Sequence, residues 1–506
     1  MGLLALQQLT PLRRRDRQRR RRRNRTLNGS IAAVGKRKGL PCQQDGYGDS
    51  KDDKRMRCSM PALPEDIWHH IHSLLPLRDA AHAACLSRAF LRSWRCHPIL
   101  TLNRSILYSK ANAPEENLSC IIDNIMRNHT GIGVKIFKLS IYDACNYLDS
   151  WLQIAVTPGI EELTLKLYNG DNMKYNVPCT LLSDGVRNSI RCLQLSWCAF
   201  HPAAELGPMR KLTSLCLHSV HILGDELEYF LSNSPALKQL DLIDCREIIC
   251  LKIPCVLLQL QCLKVSHCWK LRVIESKARN LSSFILEAGP RVKVSLGETL
   301  QMKNLSMFRS NFICYARAEL PSNMPKLETV SIECRYTNAA YQIPIPQAPV
   351  NYSPSYDYFS LVSFLDASPS LKTWLLDVRQ FSFDPATMEQ ESIFGASSHL
   401  RQMPEQHHGC LKSMKIKGFY SAKSLVELTC YILKNAKSLS CLSLDTTFGD
   451  PKCDTQPPGG LCTEMDKDFV VEARRGAVAI RAYIQDKVPP TVKLTVVEHC
   501  WRCHPC

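Results

Sequence analysis

The chain has no apolar run that approaches the roughly 18 residues needed for a membrane-spanning helix. It also lacks the G-x-S-x-G, H-E-x-x-H and Walker sequences of common hydrolases, metalloproteases and nucleotide-binding proteins. Gly131 and Gly133 form a lone G-x-G with no third glycine, so they do not predict a phosphate-binding loop. These absences predict a protein that has no catalytic residues, no cofactor and no membrane partner.

Acidic residues are scarce at the N-terminus. Residues 1–57 contain 17 Lys or Arg and only 5 Asp, so they carry +12 of the net charge of +17. Like charges at this density repel one another and bury no apolar surface, so residues 1–58 are predicted to form a disordered basic tail. The arginines to which we assign a function are Arg13, Arg14, Arg15, Arg19, Arg20, Arg21, Arg22 and Arg23.

Three functions of this tail are open, and the first is favoured: a nuclear-import signal, a nucleic-acid-binding arm, or a solvated segment without a role. Nucleic-acid binding is less favoured because no aromatic side chains that could stack on bases lie among the arginines. The short apolar run of the N-terminus precedes its charges, which is the reverse of a secretory signal. We therefore expect the protein in the nucleus, the cytoplasm or both.

An apolar-x-x-apolar-x-apolar pattern recurs along most of the chain. Its copies begin at Ile136, Ile160, Ile190, Leu212, Leu237, Leu260, Leu281, Leu327, Leu371, Leu411 and Leu439. From Ile190 to Leu281 they start 22, 25, 23 and 21 residues apart, within the period of leucine-rich repeats. Each copy predicts a short strand whose alternate residues point inward, and stacked copies bury what one strand alone cannot. Between Leu281 and Leu327 the pattern is degenerate, since Leu305 and Phe308 fit but Ser310 does not.

The chain has 25 cysteines, an odd number, and some of them keep step with the repeat. Cys198, Cys245 and Cys268 stand three residues after the last apolar position of their copies. Leucine-rich repeats have Asn or Cys there, at the turn that leaves the strand. We predict that these thiols are buried and structural. A disulfide framework is not expected without an export signal.

Residues 60–97 read MPALPEDIWHHIHSLLPLRDAAHAACLSRAFLRSWRCH. Pro64 suits the first turn of a helix, apolar residues follow at helical spacing, and Pro76 ends the helix. A second helix is predicted over 78–86 and a third around Trp94. Three short helices make a poor core, so such a unit needs a partner or an adjoining domain.

This segment resembles the F-box. The family pattern falls on Leu63-Pro64, Ile67, Ile71, Leu75-Pro76, Asp79, Ser87-Arg88 and Trp94, with Ala89-Phe90 where the family often has Trp. The resemblance implies docking to a Skp-family adaptor and, through it, to a cullin-based SCF ubiquitin ligase. The adaptor-binding residues that it implies are Leu63, Pro64, Ile67, Ile71, Leu74, Leu75 and Pro76. Alternatively, some of these side chains hold the three helices together.

The C-terminal region reads strand, helix, strand, helix, strand. Ser424 and Glu427 have the spacing of a capping box, and 469–488 reads as a second helix. The stretches LKSMKIKGF, LVELTCYILKNAKSLSCLSLD and AIRAYI resemble the FBD domain of plant F-box proteins. This architecture implies an α/β fold: an F-box over 59–105, a leucine-rich-repeat solenoid over 106–400, and an FBD cap over 401–506. It implies a non-enzymatic protein that binds the adaptor through the F-box and an unknown protein target through the repeats.

Two sets of potential metal ligands are judged not to bind metal. His499, Cys500, Cys503, His504 and Cys506 lie at the chain end without a second ligand pair at zinc-finger spacing. The other set is His69, His70 and His72, and we interpret these as solvated residues on a helix face.

Overall fold

The structure is a computed structural model. It describes residues 64–107, 118–142, 147–168, 175–202, 206–288, 292–297, 300–308, 324–333, 357–378, 392–395, 399–402, 405–447 and 467–498. The basic tail, Leu63 and the C-terminal cysteine group lie outside these residues. The chain divides into two compact units, of which the first ends at Tyr168 and the second begins at Asn169.

The first unit opens with three short helices, α1 (Glu65–Ser73), α2 (Leu77–Ala83) and α3 (Arg88–Arg95). Pro64 and Pro76 precede α1 and α2, where a missing N–H costs nothing. The Ser87 side chain accepts a hydrogen bond from the Phe90 N–H at the start of α3. The three predicted helices are therefore present, and the second begins and ends earlier than predicted.

Three parallel strands with helices between them complete the first unit. The elements are β1 (Ile99–Leu102), α4 (Arg104–Leu107), α5 (Leu118–Asn128), β2 (Ile136–Ile141), α6 (Leu148–Ala155) and β3 (Glu162–Leu167). β1 pairs with β2, and β2 pairs with β3.

The first copy of the repeat lies two residues earlier than predicted. Phe137 pairs with Leu163 and Leu139 with Leu165, so the copy is Val134/Phe137/Leu139 rather than Ile136/Leu139/Ile141. Val134, Phe137 and Leu139 are buried, whereas Ile136 is half-buried. The sequence VKIFKLSI fits the repeat pattern from either Val134 or Ile136, and only the pairing of β2 with β3 shows which alignment the structure adopts.

The second unit is a stack of parallel strands in chain order. Its main sheet consists of β4 (Cys192–Ser196), β5 (Ser214–His218), β6 (Gln239–Ile243), β8 (Cys262–Ser266), β10 (Ser283–Glu287), β12 (Asn304–Phe308), β13 (Thr329–Glu333), β14 (Thr373–Asp377), β15 (Ser413–Lys417), β16 (Cys441–Asp445) and β17 (Lys493–Val497). Each strand pairs in register with its neighbour in this order. The predicted α/β fold with a leucine-rich-repeat solenoid is confirmed.

A second, smaller parallel sheet lies on the return path of three coils. It consists of β7 (Cys250–Ile253), β9 (Val273–Ser276) and β11 (Lys293–Ser295), with β9 in the middle. Short helices take this place elsewhere: α7 (Asp184–Arg187), α8 (Gly224–Ser232) and α9 (Val362–Asp366). In these coils the strand and the return element form two layers around a core of leucines.

The degenerate copy is a regular coil in a different frame. β12 pairs with β10 and β13, and its buried side chains are Met302, Leu305 and Met307. The predicted frame, with Leu305 followed by Phe308, was wrong because it passed over the two methionines. Methionine is flexible and unbranched, so it fills a leucine position.

The predicted cysteines lie at the turns that leave the strands. Cys198, Cys245 and Cys268 are buried, and the Cys245 thiol donates to the carbonyl of Leu217 on the preceding coil at 3.5 Å. Burial raises the pKa of Cys198 to about 12, so this thiol stays protonated. The residue before each cysteine has a positive φ, which bends the chain sharply after the strand. The predicted structural role is confirmed.

The C-terminal segment continues the same coils and adds helices α10 (Lys423–Asn435) and α11 (Lys467–Ala479). Beyond α11 the chain winds more widely over Ile480–Ile484. The predicted Ser424–Glu427 capping box is absent, because α10 begins at Lys423 and Glu427 faces inward. The buried Glu427 carboxylate instead accepts a hydrogen bond from the backbone N–H of Arg401 at 2.9 Å. Its other oxygen lies 2.6 Å from the Arg401 side-chain Nε.

The leucine ladder generates a stability prediction. Leu242 is fully buried between coils, so Leu242→Ala should lower the free energy of unfolding by about 2–5 kcal/mol through lost burial and a cavity. Lys264→Ala, on the outward side of the neighbouring strand, should change it by about 0.5 kcal/mol or less. Urea unfolding followed by circular dichroism measures both. Equal effects of the two substitutions would contradict the assignment of this core.

Candidate functional site

Helix α1 presents three large apolar side chains to solvent. Ile67 and Ile71 are one helical turn apart and are 41% and 37% exposed, and Leu74, just after the helix, is 72% exposed. The spacing of four residues places Ile67 and Ile71 on one face. Exposed apolar side chains grouped in this way indicate a binding surface. We call Ile67, Ile71 and Leu74 the α1 apolar stripe.

The helices are held together by other residues. Phe90 of α3 makes an edge-to-face contact with Trp68, with ring centroids 4.9 Å apart, and stacks on His72 at 4.7 Å. Trp94 is 1% exposed, and Ala80 and Ala81 of α2 are fully buried. The α1 apolar stripe is therefore not needed to fill this small core. The alternative, that these isoleucines only hold the helices together, accounts poorly for their exposure.

The prolines and Leu75 shape the ends of the helices. Pro64 and Pro76 are exposed, and their carbonyls accept hydrogen bonds from the first turns of α1 and α2. Leu75 is half-buried, and its carbonyl accepts a hydrogen bond from His97. Leu63, the remaining predicted adaptor-binding residue, lies outside the described residues.

Sequence reasoning passed over Leu86, which lies between α2 and α3. Its side chain is 80% exposed, more than any residue of the α1 apolar stripe. A leucine directly before Ser-Arg in a short helical segment was the available signal. Leu86 belongs to the candidate apolar surface of this unit, although the family pattern does not single it out.

The histidines of α1 differ in exposure, and the prediction was wrong for His72. His70 is exposed and His69 half-buried, but His72 is 1% exposed because it faces Phe90. Neither ring nitrogen of His72 has a hydrogen-bond partner, and burial lowers its pKa. The spacing from Trp68 to His72 puts both rings on the inner face of α1.

Two further buried histidines connect the helices to the first strands. The Nδ1 of His97 lies 2.8 Å from the Ile99 carbonyl oxygen and 3.2 Å from the Ile99 nitrogen, and its Nε2 lies 3.2 Å from the Leu75 carbonyl oxygen. In His129, Nδ1 accepts the Gly131 N–H at 2.9 Å and Nε2–H donates to the carbonyl of His97 at 3.1 Å. The His129 ring is neutral in this arrangement, because one nitrogen accepts and the other donates. Burial lowers the pKa of His129 to about 4.

The first outward position of the strands in the second unit is mostly occupied by polar or small side chains. The first outward position holds Cys192, Ser214, Gln239, Cys262, Ser283, Asn304, Thr329, Thr373, Ser413, Cys441 and Lys493. The paired registers align these residues in one row along the stack. This row offers hydrogen-bonding groups to an extended segment laid along it.

The described residues contain no cluster of three or more His, Cys, Asp or Glu side chains arranged to hold a metal. Within the same ranges no helix has the length and apolar character to cross a membrane. The apolar surface of the first unit and the polar strand face of the second are thus the candidate sites.

Comparison with known proteins decides the family. The profile described as "At1g61320/AtMIF1, LRR domain" matches residues 125–501, about three quarters of the chain. The chain belongs to this family. The match runs through both the predicted repeats and the predicted C-terminal region, in agreement with strands that continue to β17.

Three proteins of Arabidopsis thaliana are similar to this chain. The F-box/FBD/LRR-repeat protein At1g13570 is 29% identical over 188 residues, which cover 36% of this chain and 42% of that protein. The FBD-associated F-box protein At1g61320 is 23% identical over 427 residues, 78% of this chain and 89% of that protein. The F-box/LRR-repeat protein At3g03360 is 26% identical over 200 residues, 37% of this chain and 38% of that protein. These names confirm the predicted plant family of F-box, leucine-rich-repeat and FBD proteins.

The buried imidazole of His129 generates a prediction about pH. The pKa of His129 in the folded state, about 4, lies below its usual value of about 6.5, so only the unfolded chain takes up this proton. The contribution of neutral His129 to the free energy of unfolding is therefore fully present above about pH 6.5. It is lost as the pH falls toward 4, and the loss amounts to at most about 3 kcal/mol.

The test is urea unfolding of the full chain at pH 7.5 and pH 5.0, with His129→Gln as the comparison. We expect the stability of the wild type to fall further between these two pH values than that of the variant. The same pH dependence in both proteins would show that His129 does not titrate in this way.

Proposed function

We propose that this protein is the substrate-recognition subunit of an SCF ubiquitin ligase. The F-box segment binds a Skp-family adaptor, which connects the chain to a cullin, and the leucine-rich repeats bind the protein that is to be ubiquitinated. The observation that carries the proposal is the α1 apolar stripe, because its residues are those that the F-box pattern assigns to adaptor contact.

The stripe is energetically suited to such a contact. Ile67 and Ile71 leave more than a third of their surface in water, and Leu74 leaves almost three quarters. Covering each of them would contribute roughly 1 kcal/mol or more to binding. The underlying contacts of Phe90 with Trp68 and His72 hold α1 in place, so little ordering is required when a partner binds.

The proposed role requires no chemistry from this chain. A recognition subunit accelerates transfer by holding the lysines of its target at high effective concentration near the charged ubiquitin carrier. We therefore propose that the protein is not itself an enzyme and that it acts through its two binding surfaces.

Adaptor binding is the decisive prediction. Ile67→Asp/Leu74→Asp should abolish capture of the full chain by a purified Skp-family adaptor, because a carboxylate would be buried at the contact without a partner. The control is Ile132→Asp, which places one such carboxylate on a 73% exposed apolar residue of the same unit. We expect wild type and control to bind equally. Equal capture of the double variant, with its circular dichroism unchanged, would refute this assignment of the surface.

We also propose that the basic tail directs the protein to the nucleus, where the ligase would meet its target. Replacing Arg13–Arg15 and Arg19–Arg23 with Gln should move a fluorescent fusion from the nucleus to the cytoplasm. Substituting the smaller cluster Lys36-Arg37-Lys38 alone serves as the control and should have a smaller effect. A fusion that stays nuclear after the arginine substitutions would refute the assignment.

A further inference from the structure

A groove of about 390 Å³ lies at the edge of the main sheet where β12 to β15 begin. Its lining residues are Gln301, Lys303, Lys326, Glu328, Ser370, Lys372 and Cys410. All of them lie within three residues before a strand, so successive coils contribute equivalent positions to one place. The groove has room for a few side chains and is too small for a folded domain.

The backbone fixes the spacing of these positions. The carbonyl of Lys303 accepts the N–H groups of Glu328 and Thr329, and the carbonyl of Glu328 accepts those of Lys372 and Thr373, at 2.8–3.0 Å. The carbonyl of Lys372 continues the row in the same way, to Lys412. Lys303, Glu328, Lys372 and Lys412 therefore stand side by side at the spacing of neighbouring strands, about 5 Å. We call this row, with Gln301, Lys326, Ser370 and Cys410 two residues before each, the lysine groove.

Positive charge exceeds negative charge in the lysine groove. Glu328 is the one carboxylate among its residues, and it pairs with Lys372 at 2.9 Å. The hydrogen bond from Lys372 lowers the pKa of Glu328. Lys326 Nζ donates to the Gln301 amide oxygen at 3.0 Å, and the exposed Lys303 side chain has no carboxylate within ion-pair distance in the described residues. The groove is lined by three lysines and one carboxylate, so its net charge is 3 − 1 = +2.

Positive charge at these positions occurs in two parts of the stack, because the rows of β4 to β6 also carry Arg191, Lys211 and Lys238. In the coils of β5 and β6 the equivalent two rows hold Lys211, Thr213, Ala236 and Lys238, and in those of β8 and β10 they hold Gln259, Gln261, Asn280 and Ser282. The coil of β16 has Ser438 and Ser440. The uncharged rows of β8, β10 and β16 interrupt the charge, so a uniformly solvated basic face does not describe the pattern, and at β12 to β14 three lysines line a groove.

We propose that the lysine groove binds an acidic segment of the target protein, one that carries clustered carboxylates or a phosphorylated side chain. The proposal rests on the function given above, because it names the class of protein that the repeats would select. Asn304, Thr329 and Thr373, which come next on the strands, supply hydrogen-bonding groups to the backbone of an extended segment. No aromatic side chain lines the groove in the described coils, so stacked nucleobases are a poorer occupant.

The test measures peptide binding to the full chain by fluorescence anisotropy. Three labelled peptides of equal length are compared: one rich in Asp and Glu, one with phosphoserine, and one with Asn and Gln in place of the acids. Because the basic tail also attracts anions, every protein carries Gln at Arg13–Arg15 and Arg19–Arg23. Lys303→Ala/Lys326→Ala is compared with Lys211→Ala/Lys238→Ala, which removes the same two charges from the equivalent rows of earlier coils.

We expect the groove variant to bind an acidic peptide about tenfold more weakly than the parent, and the matched control less than about twofold more weakly. Binding should weaken as salt rises. Whichever of the two anionic peptides binds more tightly identifies the source of the charge, carboxylate or phosphate. Equal weakening by both variants, or equal binding of the neutral peptide, would overturn the proposal.

A labelled single-stranded oligonucleotide of the same charge provides the remaining comparison. If it binds as tightly as the acidic peptides and depends equally on Lys303 and Lys326, the acidic protein segment is the wrong occupant. Capture by the Skp-family adaptor is measured on the same groove variant and should be unchanged. Loss of peptide binding can therefore be distinguished from failure of the ligase assignment.

Discussion

Two backbone N–H groups from each coil that leads into the main-sheet strands β5 through β16 converge on one carbonyl of the coil before it, and the repeat architecture of the second unit depends on this contact. The carbonyl of Thr213 accepts Lys238 and Gln239, and that of Lys238 accepts Gln261 and Cys262. Because the contact lies just before the strand, it sets the register before the strand pairs. Leucines of successive coils are then placed one above another, and the buried ladder follows from the backbone.

The same contact explains how the chain tolerates coils of very different length. β13 and β14 pair residue for residue, as do β5 and β6, although their starts are 44 residues apart rather than 25. The extra residues are accommodated outside the strands, so that the outward rows stay aligned. A surface such as the lysine groove can therefore be composed from residues that are distant in sequence, with Lys326 and Lys372 on neighbouring coils.

The sequence predicted the repeats because burial imposes a period on leucine. It also predicted the cysteines, because the turn after the strand needs a small buried side chain. It failed where a local pattern had two solutions. Val134 and Ile136 both suited the first position of a copy, and only the pairing with β3 distinguishes them. Ser424 and Glu427 satisfied a local capping rule, but Arg401, which is close to Glu427 only in the fold, determines where that carboxylate points.

The candidate sites were predictable to different degrees. Ile67 and Ile71 could be named because the F-box resemblance assigns them a role, yet their exposure depends on Phe90 and Trp68 filling the core. The lysine groove had no signal in the sequence, since its members come from separate coils and include a copy that was placed in the wrong frame. Convergence of this kind is a property of stacking and becomes visible only when the register is known.

Within the main sheet of the second unit every strand joins the strand made before it, from β4 through β17. Contacts are therefore mostly between neighbours in the sequence, and the contact order is low for a parallel sheet. As the chain leaves the ribosome, each new coil finds its template already formed, and assembly can proceed from the N-terminal side during synthesis. At each stage the most recent strand offers its unpaired edge to the next one, and β17 is the last strand of this row in the described residues.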